Sequence, residues 1–170
     1  MNLKRGKFVH IQINKDSVRI GIVSDTHGQV RRELFSIFSG VEYILHAGDI
    51  GSPEIINCLE KIAPVCAVLG NTDSSIMFSG ITETAIFETN SSRIMIIHDC
   101  KRLDLDPTAA DVNGIVCGHT HIPSIKYKKK VLYLNPGSAG PRRFDLPVSV
   151  AIIDIQGSIL NPQLIEIPIS

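Results

Sequence analysis

A chain of 170 residues, of which 44% are hydrophobic and 20% charged, has the size and composition of one globular domain with a substantial core. Its 17 basic and 17 acidic residues cancel, which excludes the strongly positive surface of proteins that bind nucleic acid in bulk or lie on anionic membranes. No apolar run approaches the roughly 20 residues of a membrane span, and the four cysteines form no CxxC pair, so we expect a soluble, cytoplasmic protein without disulfides.

The N-terminal segment, residues 1–16, is predicted to be a leader that precedes a single domain, residues 17–170. The alternating pattern of residues 8–13 is typical of a strand added at the edge of a sheet. The basic residues before it, Lys4, Arg5 and Lys7, are more simply explained as a solvated tail. Self-association into a homo-oligomer through this edge is an alternative that the sequence leaves open.

The first half of the domain alternates predicted strands, residues 18–23, 43–47 and 65–69, with helices. One helix is predicted over residues 31–38, and a second begins with Pro53 at its first position. This alternation predicts a layered α/β domain with parallel pairing among the first strands. In such sheets, ligand sites lie at the carboxyl ends of the strands.

The second half of the chain is dominated by hairpins. They are predicted to pair residues 85–88 with 93–97, 124–127 with 131–134, and 148–155 with 158–165. A short helical or irregular segment around residues 107–111 leads to a further strand at 115–117. Helices early in the chain and hairpins late predict two sheets packed face to face, with helices on the outer sides.

Side chains that can bind metal ions follow most of these strands. They are Asp25 and His27 after the first strand, Asp49 after the second, Asn71 after the third, His98 after the fifth, and His119 and His121 after the sixth. Taken singly, each could instead be a helix cap, a turn residue or a hydrogen-bonded histidine at a strand end. Their shared position favours a common metal site. Seven carboxylate, imidazole and amide groups are too many for one tetrahedral ion and suit two ions with a bridging carboxylate.

Two further histidines lie away from these positions. His10 belongs to the leader, and we expect it on the surface. His46 lies inside the second predicted strand, where it is better explained as a core histidine, or as one that orients a ligand, than as a ligand itself.

The chain resembles the calcineurin-like metallophosphoesterases in an ordered set of motifs: Asp25-x-His27, Gly48-Asp49, Gly70-Asn71-x-Asp73, His98 and Gly118-His119-x-His121. Its length, its Asn135-Pro136-Gly137-Ser138 turn and its terminal hairpin resemble the small single-domain phosphodiesterases of that family. The resemblance covers residues 18–165 and implies a four-layer α/β/β/α sandwich of two mixed sheets flanked by helices.

The same resemblance implies a role for each candidate ligand. Asp25, His27 and His121 would bind one divalent ion. Asn71, His98 and His119 would bind a second, and Asp49 would bridge the two. We expect Mn²⁺ first, with Ni²⁺, Zn²⁺, Fe²⁺ or Mg²⁺ as alternatives.

The implied activity is hydrolysis of a small phosphodiester by a hydroxide that bridges the ions, without a nucleophile from the protein. Asp49 and Asn71 would take part in catalysis through the metal, and Asn71 and Thr72 would contact the substrate. A non-catalytic scaffold, as in the retromer subunit built on this fold, and a phosphomonoesterase are the alternatives. That subunit has lost part of its histidine set, so retention of all seven positions favours an enzyme.

Thr72 departs from the family pattern, and three nearby or later residues need a separate interpretation. Thr72 stands where many relatives have a histidine that protonates the leaving group, which predicts a preference for good leaving groups. Asp73 then has no histidine to orient, and we interpret it as a loop residue or one behind the ligands. Arg142 and Arg143 could reach a substrate phosphate, although consecutive arginines are more often solvated and neighbours on an extended chain point to opposite faces.

Overall fold

The computed structural model describes residues 9–168, and within them the chain forms two β-sheets, two short α-helices and one 3₁₀ helix. The strands are β1 (Val9–Gln12), β2 (Ser17–Val23), β3 (Tyr43–His46), β4 (Val65–Ala67), β5 (Thr84–Glu88), β6 (Arg93–Ile97), β7 (Gly114–Val116), β8 (Ser124–Lys128), β9 (Val131–Asn135), β10 (Ser149–Gln156) and β11 (Ile159–Glu166). The helices are α1 (Glu33–Ile37), α2 (Pro53–Leu59) and the 3₁₀ helix (Cys100–Arg102). The predicted strands and helices are all present, with bounds within about two residues of those expected.

Both sheets are mixed, as predicted. The five-stranded sheet has the order β11-β10-β2-β3-β4, in which β2, β3 and β4 are parallel and β10 is antiparallel to both of its neighbours. The six-stranded sheet has the order β1-β5-β6-β7-β9-β8. In it, β6, β7 and β9 are parallel, and the predicted hairpins β5–β6 and β8–β9 are antiparallel.

The two sheets pack face to face over the largest apolar core. Alternating residues of β2 divide between the two faces of their sheet: Ile20 and Ile22 point to the other sheet, whereas Val23 joins the core beneath the helices. That second core contains Leu34 and Phe38, both fully buried, against the outer face of the five-stranded sheet. The predicted α/β sandwich is therefore confirmed.

The outer face of the six-stranded sheet carries no α-helix within the described residues. It is covered by the 3₁₀ helix and by an irregular segment, residues 103–112, whose Leu103 and Leu105 pack on Met95 and Ile115. Pro107 in this segment disfavours helical backbone only at the residue before it, and the residues after it form turns, so the layer expected to be helical is mostly irregular.

Part of the predicted leader belongs to the sheet, since β1 pairs in parallel with β5 at its edge. His10 in this strand is on the surface, as expected, and contacts Glu88 at 2.7 Å. Lys4, Arg5 and Lys7 lie outside the described residues, and the division at residue 16 stays a prediction.

Four free cysteines are present, at positions 58, 66, 100 and 117. Within residues 9–168, none of the helices is long and apolar enough to cross a membrane. The cytoplasmic location stays a prediction.

Candidate metal centre

All seven predicted ligands meet where loops from the two sheets converge. The loops after β2, β3 and β4 come from the five-stranded sheet, and those after β6 and β7 come from the six-stranded sheet. Backbone hydrogen bonds join them: Asp25 N–H donates to the Gly48 carbonyl at 2.9 Å, and Gly118 N–H donates to the His98 carbonyl at 2.9 Å. Strand-end positions far apart in the sequence therefore form one site.

The first group of ligands is Asp25, His27 and His121. His121 Nε2 lies 3.2 Å from Asp25 Oδ1 and 3.5 Å from His27 Nε2. The ligand atoms of the three residues are all within 4.8 Å of one another. One carboxylate oxygen and two imidazole nitrogens that face a common point are the donor set of a divalent metal site.

The second group is built around Asn71. Its Oδ1 lies 3.1 Å from His98 Nε2 and 2.9 Å from His119 Nδ1. Asp49 Oδ1 is 3.5 Å from the same His98 nitrogen. Asp25, Asp49 and His98 also place one ligand atom each within 4.8 Å of the others, so the two groups are contiguous.

Asp49 lies between the two groups. Its Oδ1 faces His98, and its Oδ2 is 3.8 Å from His27 Nε2. Burial alone would raise the pKa of Asp49, but hydrogen bonds from His98 and from the Thr72 backbone N–H outweigh burial and hold the pKa well below its usual range. Asp49 is therefore an anion with one oxygen directed to each half of the site.

Within residues 9–168, the hydrogen bonds around Asp25 involve only one of its two carboxylate oxygens, although the other lies 3.2 Å from His121 Nε2. Asp25 is fully buried, and its Oδ2 accepts a hydrogen bond from His119 N–H at 3.1 Å. Within the described residues, Oδ1 accepts no hydrogen bond. Because an ionised carboxylate buried without compensation is costly, this oxygen fits a bound cation. The donors include no thiolate, which favours hard to borderline divalent ions.

The backbone at the ligands is strained. Five of the seven candidate ligands have φ between 45° and 68°, in the left-handed region: Asp25, His27, Asp49, His119 and His121. Such conformations persist only where surrounding contacts enforce them. Close packing does so here, since a Cβ at Gly118 would overlap Ser24 Oγ and one at Gly70 would overlap Asp49 Oδ1.

Contacts behind the ligands fix ring orientation. His98 Nδ1 lies 2.7 Å from the Ala47 carbonyl, which can only accept, so Nδ1 carries a proton and Nε2 is the nitrogen that faces the ligand oxygens of Asn71 and Asp49. Burial lowers the pKa of His27, which keeps its ring neutral and available as a ligand at neutral pH.

His46 is a buried histidine that contacts the ligand loops, in agreement with one of the two interpretations that the sequence offered. It is fully buried, its Nδ1 accepts from Gly48 N–H at 3.2 Å, and its Nε2 lies 2.9 Å from Thr26 Oγ1. The Thr26 hydroxyl in turn donates to the Ile50 carbonyl at 2.9 Å. Burial lowers the pKa of His46 to about 4, so a neutral ring ties the Asp25–His27 loop to the Asp49 loop.

Asp73 has a role that the sequence did not specify. Its carboxylate accepts hydrogen bonds from the backbone N–H groups of Ile50 at 2.9 Å, Gly51 at 3.0 Å and Gly70 at 2.8 Å. It therefore holds the loops that carry Asp49 and Asn71 against each other. The available signal in the sequence was a carboxylate two residues after the Gly70-Asn71 pair.

A two-sheet sandwich with a carboxylate and imidazole cluster at converging strand ends defines a metallophosphoesterase. The chain belongs to the calcineurin-like phosphoesterase superfamily, whose family model matches residues 18–158. A probable metallophosphoesterase of Methanothermobacter thermautotrophicus is 35% identical over 159 residues, which cover 86% of this chain and 91% of that protein.

Solved structures share the fold. Vacuolar Protein Sorting 29 from Cryptosporidium parvum has a TM-score of 0.73 at 20% identity, covering 90% of this chain and 99% of that one. A structure described as a novel archaeal phosphodiesterase has a TM-score of 0.71 at 24% identity, covering 86% of this chain and 99% of that one.

Proposed function

We propose that the protein is a phosphodiesterase that depends on two divalent metal ions. The main support for this proposal is the position of Asp49, whose two carboxylate oxygens face two separate groups of ligands. In this proposal, Asp25, His27 and His121 bind one ion. Asn71, His98 and His119 bind the other, and Asp49 bridges the pair. Mn²⁺ is the expected ion, and the donor set also accommodates Ni²⁺, Zn²⁺, Fe²⁺ or Mg²⁺.

The residues of the chain prepare the site before substrate binds. Divalent ions held there would supply Lewis acidity for activating water and for neutralising phosphoryl charge. Asp73 and His46 keep the ligand loops in place, and His98 presents Nε2 because Nδ1 is engaged with the Ala47 carbonyl. No serine or cysteine nucleophile is needed, since the attacking group is water.

The proposed substrates are phosphodiesters with good leaving groups. Thr72 is exposed, and it contacts Asp49 through its backbone N–H at 2.9 Å. A threonine hydroxyl does not act as a general acid near neutral pH, so the leaving oxygen departs without proton transfer from this position. Positioned acid catalysis contributes roughly 10²–10⁴-fold in enzymes that have it. We therefore expect aryl diesters to react far faster than alkyl diesters.

A metal-restoration assay tests the activity. The purified protein is stripped with chelator, supplied with Mn²⁺, Ni²⁺, Zn²⁺, Fe²⁺ or Mg²⁺ in turn, and assayed on aryl and alkyl phosphodiesters and on phosphomonoesters. Hydrolysis of diesters in preference to monoesters is expected with at least one metal. Folded protein that hydrolyses no diester with any metal contradicts the proposal, and a preference for monoesters favours a phosphomonoesterase.

A metal count tests the bridging role. The parent should bind two ions per chain by elemental analysis after dialysis, and Asp49→Ala should bind fewer because it removes an oxygen from each group. Asp104→Ala is the matched control, since Asp104 is an exposed carboxylate in the irregular outer segment. An Asp49→Ala variant that binds metal as well as the parent excludes the bridging assignment.

A scaffold is the second candidate function, because Vacuolar Protein Sorting 29 shares the fold at a TM-score of 0.73. In that case the protein would bind metal, show no hydrolysis in the assay above, and bind a partner protein through the face around the metal ligands. The complete set of candidate ligands favours the enzyme.

A further inference from the structure

The turn after β9 is fixed against the loop that carries Asp25. Ser138 Oγ donates to the Asp25 carbonyl at 3.0 Å, and Ala139 N–H donates to the Ser24 carbonyl at 3.0 Å. A Cβ on Gly140 would overlap the Thr26 carbonyl oxygen, so only glycine permits this approach. Residues 138–140 therefore have a set position relative to the first group of ligands.

This anchored turn directs the next residues to the mouth of the site. Arg31 Nη2 donates to the Gly140 carbonyl at 2.9 Å and holds the chain as it leaves the turn. Three residues later, Arg143 Nη2 lies 3.4 Å from His27 Nε2. Phe144 then has φ of 53°, and Leu146 N–H donates to the Arg143 carbonyl at 3.1 Å, which closes a second turn.

The guanidinium of Arg143 has no acidic partner in the described part of the chain. Within residues 9–168, no carboxylate lies within ion-pair distance of it, although it is next to a candidate metal ligand. Its neighbour Arg142 makes no ion pair or side-chain hydrogen bond in the same part of the chain and is exposed. An exposed cation that lies beside a candidate metal ligand and has no carboxylate partner within residues 9–168 is positioned to contact an anionic group bound at the metal site.

We propose that Arg143 is a substrate-binding residue that donates hydrogen bonds to a non-bridging oxygen of the phosphoryl group. This inference rests on the proposed phosphodiesterase function. The planar guanidinium matches two phosphoryl oxygens, and it stays charged at every pH of interest. It stabilises negative charge but gives up no proton, so it does not replace the general acid that Thr72 lacks. Arg142 makes no side-chain hydrogen bond to a candidate ligand within residues 9–168, and it takes no part in this proposal.

The kinetic test compares Arg143→Ala and Arg143→Lys with Arg142→Ala, which removes the same charge from the adjacent residue. Arg143→Ala should lower kcat/KM for an aryl phosphodiester by roughly 10- to 100-fold, the effect of one charge-assisted hydrogen bond, mainly through KM. Arg143→Lys should recover part of the loss, and Arg142→Ala should change kcat/KM less than about threefold. The loss should be equal for good and poor leaving groups, because non-bridging oxygens are common to all of them.

The second readout does not depend on hydrolysis. Inorganic phosphate binding to the metal-loaded proteins is measured by calorimetry, with metal content and thermal unfolding recorded for each. Arg143→Ala should bind phosphate about tenfold more weakly than the parent, with unchanged metal content and unchanged thermal unfolding. Arg142→Ala should match the parent.

The outcomes separate this inference from the proposed function. A parent that binds phosphate through Arg143 but hydrolyses no diester supports the phosphate contact and contradicts the phosphodiesterase. Equal losses in Arg142→Ala and Arg143→Ala, loss of metal in Arg143→Ala, or a loss confined to poor leaving groups would each overturn the assignment of Arg143. Failure of the metal-loaded parent to bind phosphate would overturn it as well.

Discussion

Lowering the pH should destabilise the metal-free protein because His46 is buried as a neutral ring. Its pKa is about 4 in the folded state against an ordinary value of 6.5. Below pH 6.5 His46 is protonated in the unfolded chain but stays neutral in the folded protein. The free energy of unfolding therefore decreases as the pH is lowered, until the folded ring also protonates near pH 4. The difference between the two pKa values corresponds to roughly 3 kcal/mol of unfolding free energy.

Two substitutions of His46 distinguish the effect of its titration on stability from the effect of losing its hydrogen bonds. His46→Asn places an acceptor near the Gly48 N–H, whereas His46→Gln places an amide near the Thr26 hydroxyl. Each variant loses one buried hydrogen bond, so each should lose about 1–3 kcal/mol of unfolding free energy at neutral pH. Neither new side chain titrates, so both variants should lose less stability than the parent when the pH is lowered to about 4.5.

Urea unfolding followed by circular dichroism, in the presence of chelator, gives the free energy of unfolding at each pH. Burial also lowers the pKa of His27, but His27 titrates in all three proteins, so the difference between parent and variants isolates His46. An identical pH dependence in the parent and both variants would refute the assignment of His46 as a buried neutral base.

Three further substitutions test the loops around the ligands. Thr72→Ala should lower kcat/KM less than about threefold, because the backbone N–H makes the contact with Asp49, and steady-state kinetics would reveal a functional hydroxyl as a larger loss. Asp73→Asn should weaken metal affinity by roughly 10- to 100-fold, because one of the oxygens that accept from backbone N–H groups becomes an NH₂ donor. Competition with a chromogenic chelator measures this, and unchanged affinity contradicts the role assigned to Asp73. Gly118→Ala should cost roughly 1–3 kcal/mol in chemical unfolding, because its Cβ would overlap Ser24 Oγ, and an unaffected stability would show that the loop can move away.

The sequence predicted the strands and the meeting of polar strand ends because both follow from local patterns. Asp25, Asp49 and Asn71 each come directly after an apolar run, and parallel strands bring such ends to one edge. Contacts between distant loops leave no such pattern. Asp73 accepts hydrogen bonds from three backbone N–H groups because two loops lie close together in the fold. The residue types alone do not specify that contact between the loops.

The sequence also did not predict which of the two arginines lies beside the candidate ligands. Arg142 and Arg143 are chemically identical neighbours, and alternation along an extended chain indicates only that they diverge. In the structure Arg143 is the one beside a candidate ligand, His27, on a segment that the contact between Arg31 and the Gly140 carbonyl anchors. The layer outside the six-stranded sheet is a further case, because the sequence left residues 107–111 open between helical and irregular, and the structure has turns there.

The left-handed backbone of five candidate ligands lowers the thermal stability of the fold while it places the metal-binding side chains. Each such residue costs about 1–2 kcal/mol relative to an unstrained conformation, so the five together amount to a large part of the net stability of a domain this size. Glycine would relieve the strain at any of these positions and abolish the donor. Selection of random variants for heat resistance alone would therefore enrich glycine at His27 and His119, and yield proteins that melt later and bind metal less.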